Sequence, residues 1–189
     1  MPLTGSRLLE LVKQIGQRLE RQQIPYALSG AIANLLWGVP RATKDIDLLL
    51  TVPRIRLPEV WELLCSLGCQ GNLQQALQES LEQHCLRLSF EGVVIEVFLP
   101  YLPYHHEVLR RRVRREINGV PLWFVTAEDL VLLKLLFHRT KDIADIKAIL
   151  ATQKGSLDLQ YLQDALEGLL PRDDARRAEL AGWVEQLAR

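Results

Sequence analysis

Asp45 and Asp47 stand two positions apart, with Ile46 between them and Leu48-Leu49-Leu50 behind. In an extended strand, residues i and i+2 project from the same face. The two carboxylates would therefore project together while Ile46 turns to a core. Same-facing carboxylates repel unless a proton or a cation neutralises them. A hard divalent ion such as Mg²⁺ is the usual remedy, and it carries nucleotide phosphates with it. Just upstream, Tyr26-Ala27-Leu28 runs into the small-residue turn Ser29-Gly30-Ala31, where a phosphate can approach the backbone. A third acid, Glu96, is the lone charge in Val93-Val94-Ile95-Glu96-Val97-Phe98. A carboxylate in so apolar a run belongs at a site or in a pair. Three such acids suit a two-metal arrangement, in which one ion activates a hydroxyl and the other neutralises a triphosphate and its leaving pyrophosphate. The third acid is then available as a general base. The same residues also fit a plainer arrangement, with Asp45 and Asp47 as strand-edge charges and Glu96 paired with Arg87 or another arginine.

The elements that must position these side chains can be read from periodicity. Leu8, Leu11, Val12, Ile15 and Leu19 recur at helical spacing and predict a helix over about 5–22, ended by Pro25. Residues 31–37 suit a short buried helix, closed by Gly38 and Pro40. Residues 45–52 read as a strand. Pro58 opens a helix to Leu67, with Gly68 as its stop. Residues 74–82 read as helix. Glu91-Gly92 and Asn118-Gly119 each centre an antiparallel hairpin. Thr126 caps an apolar helix to about His138. Helices then follow over 141–153, 158–168 and 172–188. Strands in the middle and helices at the end give an α+β class. The expected organisation is a domain over 1–150 and a C-terminal helical extension over 151–189 packed on it.

Composition narrows the classes. The 189 residues carry 23 Lys plus Arg and 23 Asp plus Glu, a net charge of zero, which argues against bulk electrostatic attachment to nucleic acid or membrane. Cys65, Cys69 and Cys85 form no Cys-x-x-Cys pair and read as reduced thiols of a cytoplasmic protein. Arg7, Glu10 and Lys13 interrupt any leader-like apolar run, and no stretch reaches the ~20 apolar residues of a membrane span. Arg110–Arg115 is the densest charge run, a solvated face or a grip for RNA phosphates. The adjacent His105 and His106 cannot share a helix face and read as surface residues. Lys134, inside Leu130–Phe137, either snorkels to solvent or extends to an anion. Lys141, Asp142 and Asp145 read as a solvated helix start or as part of a site. Arg41 can meet a triphosphate or pair with Asp45 or Asp47.

Two blocks together resemble a known family. Ser29-Gly30-Ala31-Ile32-Ala33, followed by Gly38-Val39-Pro40-Arg41-Ala42-Thr43-Lys44-Asp45-Ile46-Asp47-Leu48, is similar to the turn and R-x-T-x-D-(I/L)-D signature of the DNA polymerase β-like nucleotidyltransferases. Thr126-Ala-Glu-Asp-Leu-Val-Leu-Leu-Lys134, then Arg139-Thr-Lys141-Asp142-Ile-Ala-Asp145-Ile, is similar to a motif of the AbiEii/MenA-type branch, which includes toxin–antitoxin enzymes. The likeness covers about residues 24–150. It implies a nucleotidyltransferase fold, a mixed β-sheet flanked by helices. It also implies Asp45, Asp47 and Glu96 as catalytic metal ligands. Ser29, Gly30, Arg41, Thr43, Lys134, Arg139, Lys141 and Asp142 would be at the nucleotide. Ser29 replaces the first glycine of the usual pair, and Glu96 stands where Asp is commoner.

The function expected is Mg²⁺-dependent transfer of a nucleoside monophosphate from an NTP to a hydroxyl of an RNA, a protein or a small molecule, with a cognate toxin or antitoxin as partner. The alternative is a catalytically weakened nucleotide-binding or antitoxin-like module.

Overall fold

The structure is a computed structural model that describes residues 5–188, with side chains described to residue 186. It is a mixed α and β chain built on one six-stranded sheet. Six strands, β1 (Tyr26–Leu28), β2 (Asp45–Leu50), β3 (Cys85–Phe90), β4 (Val93–Phe98), β5 (Val113–Ile117) and β6 (Val120–Phe124), lie in the order β3-β4-β2-β1-β6-β5. β1 runs antiparallel to β2 and parallel to β6, and β2 runs parallel to β4. The outer pairs β3/β4 and β5/β6 are hairpins. At both hairpin turns the two central residues have positive φ: Glu91 (47°) with Gly92 (84°), and Asn118 (48°) with Gly119 (77°). Two left-handed residues match the twist of the flanking strands, which is why these tight turns form.

β2 and β4 position the acids. Ile46, Leu48 and Leu50 are buried on one face of β2, and Val93, Ile95 and Val97 are buried on the same face of β4. Period two then puts Asp45, Asp47 and Glu96 on the opposite face, all half-buried. Helix α1 (Gly5–Arg21) buries Leu8, Leu11, Val12, Ile15 and Leu19, as its spacing predicts. Helix α2 (Gly30–Trp37) follows β1 directly. Helix α3 (Leu57–Ser66) carries Pro58 in its first turn, and α4 (Leu73–Glu82) is capped by Asn72, whose side chain accepts from the Gln75 N–H.

Helix α5 (Pro103–Arg111) corrects the reading of the two histidines. Pro103 starts the helix, and its inner face is His105, Val108 and Leu109. His105 is therefore buried (7% exposed), while His106 remains exposed. The arginine run is split between elements: Arg110 and Arg111 close α5, and Arg114 and Arg115 lie exposed on the edge strand β5.

Four helices follow: α6 (Ala127–Phe137), α7 (Thr140–Thr152), α8 (Leu159–Leu169) and α9 (Ala175–Ala188). Thr126 caps α6, its hydroxyl accepting from the Asp129 N–H at 3.1 Å and donating to Asp129 Oδ2 at 2.8 Å. His138, in the left-handed region at φ 53°, ends it. By contacts the chain divides into two compact units. The first holds the residues to Ile32 together with Ala42–Val125, and so the whole sheet; the second holds Ala33–Arg41 and the residues from Thr126. No helix among the described residues is long and apolar enough to cross a membrane.

Candidate active site

In the first unit, strand register does the gathering. Asp47 lies opposite Glu96 on β4, and Glu96 lies opposite Arg87 on β3, so Arg87, Glu96 and Asp47 form one row across three strands. Asp45 lies opposite Val94, one pleat earlier on the same face. The three acids predicted to act together are thus on one face of adjacent strands. The Thr43 hydroxyl accepts from the Asp45 N–H at 3.1 Å and sets the entry into β2.

Ser29 and Gly30 form the corner between β1 and α2. The Ser29 N–H donates to the Asp47 carbonyl at 2.9 Å, and Ser29 is buried. Gly30 takes φ 56°, and a Cβ there would lie on the Asp47 carboxylate, 2.5 Å from its Cγ. The turn therefore admits the Asp47 side chain against bare backbone, a requirement that only glycine meets.

Glu96 has a partner already. Arg87 Nε donates to Glu96 Oε1 at 2.8 Å, and Arg87 Nη1 reaches Gln83 Oε1 at 2.7 Å and Glu79 Oε2 at 3.5 Å, both on or just beyond α4. The hydrogen bond to Glu96 raises the arginine's own pKa. The plainer pairing that the sequence left open is present. Glu79 and Gln83 were not legible as participants, because only the folding of α4 beside β3 brings them there. Buried Cys85 lies in the same field: burial pushes its thiol up to about 12, against the pull of Arg87 and with the push of Glu96, Asp47 and Glu79. Such a thiol is not a nucleophile at neutral pH.

Hard oxygen donors on a half-exposed face, with Asp47 seated in a cradle that a Cβ would fill, fit a divalent ion of the Mg²⁺ kind. Asp45 and Asp47 share this face with Glu96, whose carboxylate Arg87 also holds. Among the described residues no three His, Cys, Asp or Glu side chains are gathered closely enough to hold a metal.

The second unit contains most of the other expected nucleotide contacts, and a charge network centred on the buried Lys134, Asp142 and Asp145 ties several of them together. Lys134 is 4% exposed; its Nζ lies 2.6 Å from Asp145 Oδ2 and 3.8 Å from Asp142 Oδ1. It therefore does not snorkel to solvent. Arg41 forks Asp145 through Nε at 3.1 Å and Nη2 at 3.0 Å. Burial alone would raise the Asp145 carboxyl, but hydrogen bonds from Arg41 and Lys134 outweigh it and hold the group below its ordinary value. Arg139 binds Asp142 Oδ2 through Nε at 2.6 Å and through its own N–H at 3.2 Å. Lys141 is exposed, but Asp142 and Asp145 are buried, so the solvated helix start holds for the lysine alone. Sequence reasoning missed Asn34, which is fully buried. Its Nδ2 donates to the Val39 carbonyl at 2.8 Å and to Asp145 at 3.5 Å, and its Oδ1 has no hydrogen-bond partner among the described residues.

The family model described as a nucleotidyltransferase of unknown function, DUF6036, matches residues 6–178. A search of curated proteins gave no match. Among solved structures, the chain is similar to the antibiotic-resistance factor ANT(2'')-Ia in solution, with TM-score 0.61 and 16% identity over 97% of this chain and 100% of that one. A crystal structure of ANT(2'')-Ia in complex with adenylyl-2''-tobramycin gives TM-score 0.60 and 17% identity, covering 85% and 97% of the two chains. The lincomycin-bound lincosamide antibiotic adenylyltransferase LnuA gives 0.52 and 14%, covering 79% and 98%. At these identities the likeness speaks for the fold, which is that of a nucleotidyltransferase.

Proposed function

From the premise that the chain belongs to the DUF6036 family of nucleotidyltransferases of unknown function, we propose that it transfers a nucleoside monophosphate from an NTP to a hydroxyl, releasing pyrophosphate, with Asp45, Asp47 and Glu96 as its working carboxylates. The observation that carries this reading is the strand register that puts Asp45, Asp47 and Glu96 on one face, with Asp47 against Gly30.

Asp45 and Asp47 would hold Mg²⁺, and Glu96, on the same face, is the third carboxylate that can turn to it. When bound, the ion supplies charge neutralisation for the triphosphate and the leaving pyrophosphate. Gly30 keeps the Asp47 carboxylate in place, and the Ser29 corner presents backbone to a phosphate. Glu96 takes the proton of the acceptor hydroxyl through a carboxylate oxygen as that hydroxyl attacks the α-phosphorus. In-line displacement of this kind asks the protein mainly for positioning and electrostatics, which rigid strands provide.

Roles at the nucleotide for Arg41, Thr43, Lys134, Arg139, Lys141 and Asp142 rest on the likeness of their motifs. The narrower placement in the AbiEii/MenA-type branch, with a cognate toxin or antitoxin, rests on the Thr126–Lys134 and Arg139–Asp145 blocks. The folds of ANT(2'')-Ia and LnuA, whose structures contain adenylyl-tobramycin and lincomycin, support a small-molecule hydroxyl among the candidate acceptors. A second reading, a nucleotide-binding module with weakened turnover, is favoured by one observation, the Arg87 partner already on Glu96.

The test is incubation of the purified chain with each α-labelled NTP, Mg²⁺, and pools of RNA, protein and small polyols or aminoglycosides. Label is expected in one pool, with stoichiometric pyrophosphate. Asp45→Asn and Asp47→Asn should each lower the rate by about 1000-fold, the scale of losing a charge-stabilising group in the transition state. NTP binding without pyrophosphate release in any pool would replace the enzyme with the module.

A further inference from the structure

We propose that Arg87 is a built-in counter-ion for the acidic face, holding Glu96 in place of a divalent cation and surrendering it when one binds. The inference rests on the reading of Asp45, Asp47 and Glu96 as a cation-binding face.

Three observations carry it. The first is order along the row. Glu96 is flanked on β3 by Arg87 and on β2 by Asp47, so guanidinium and cation approach one carboxylate from opposite neighbours. Glu96 and the nearby Glu79 repel one another, and Arg87 is a positive charge that the fold places beside both. The second is the form of the contact. Arg87 meets Glu96 through Nε and one carboxylate oxygen, at 2.8 Å, rather than through the stronger two-pronged grip that Arg–carboxylate pairs frequently make. The third is that Arg87 has somewhere to go. Its Nη1 is already on Gln83 at 2.7 Å and beside Glu79 at 3.5 Å, so giving up Glu96 leaves it neither uncompensated nor unbonded. The pair is partly exposed, 39% and 25% at the two side chains, so exchange does not require a charge to cross a dry interior.

The physical consequence has a definite sign. A positive charge beside a cation site opposes cation binding, so removing it tightens binding even though a hydrogen bond is lost. Arg87→Gln keeps an amide beside Glu96 and removes the charge; Arg87→Lys keeps the charge. Mn²⁺ binding, followed by the loss of the free-ion signal in electron paramagnetic resonance, should be about fivefold tighter in Arg87→Gln and within about twofold of wild type in Arg87→Lys. The rise in melting temperature on saturation with Mn²⁺ should also be larger in Arg87→Gln.

Arg87→Met, which keeps the aliphatic stem and removes the charge, covers the event that Arg87→Gln does not fold, and should tighten Mn²⁺ by a similar factor. Equal or weaker Mn²⁺ binding in either folded variant overturns the proposal. Its failure is separable from failure of the site. If wild type binds no Mn²⁺ that Asp45→Asn abolishes, the cation face itself is wrong; if Asp45-dependent binding is present but blind to Arg87, only the counter-ion is.

Discussion

Gly30 is where one residue decides the site. Its φ of 56° is reachable by other residues at a cost of about 1–2 kcal/mol, but the space is not, because the Asp47 carboxylate lies where a Cβ would be. Gly30→Ala should therefore do more than destabilise. It must push Asp47 out of line with Glu96. The expected outcome is a stability loss of about 2 kcal/mol by urea denaturation, together with loss of most Mn²⁺ affinity. Full Mn²⁺ affinity with only the stability loss would mean that Asp47 is not a ligand. At this scale the sequence was readable in part. Spacing marked Asp45 and Asp47, and an isolated charge in an apolar strand marked Glu96, because both signals are local. The reason for the glycine was not readable, since the group it accommodates comes from the neighbouring strand.

Among the elements, α5 shows how a short helix escapes sequence reading. Its inner face has only Val108 and Leu109 as apolar residues, with His105 as the third member, and an arginine run follows. Burial, foremost, and the neighbouring His106 and His84 depress the His105 imidazole to about 4. Its Nδ1 accepts from the Tyr101 N–H at 3.3 Å, and the Tyr101 ring meets it edge-on. An unfolded histidine titrates near 6.5, so between the two values the unfolded chain binds more protons. The contribution of His105 is complete above about pH 6.5 and is lost as pH falls toward 4. It amounts to at most about 3 kcal/mol. Urea midpoints measured at pH 7 and pH 4.5 should fall steeply in wild type and less in His105→Asn, which keeps an acceptor and cannot titrate. The hairpins, by contrast, were legible because Glu91-Gly92 and Asn118-Gly119 carry their turn geometry in adjacent residues.

At the scale of the whole molecule, each of the two units answers the problem of enclosed charge differently. The sheet unit leaves its acids half-exposed on one face. The helical unit buries Lys134 and Asp145 together and ties Arg41 to them. Removing one member of a buried pair commonly costs about 3–5 kcal/mol. Lys134→Met leaves Arg41 on Asp145 and Arg139 on Asp142, so a smaller loss of about 2 kcal/mol is expected in urea denaturation of the full chain. A loss below about 0.5 kcal/mol would mean that Arg41 alone satisfies Asp145. The sequence placed Lys134 inside an apolar helix but left its partner open, because Asp145 reaches it from the next helix.

By itself the sequence determined the strands, most helices, the two hairpin turns and the alternation that sends Asp45, Asp47 and Glu96 away from the core, because each depends on residues within a few positions of one another. Only the tertiary structure decided that Asp47 and Glu96 share a register position, that Arg87 shares Glu96, that His105 is enclosed, and that Asp145 gathers Lys134, Arg41 and Asn34. Each of those pairings joins different elements, and side-chain periodicity fixes the face a residue occupies without fixing which neighbour it meets there.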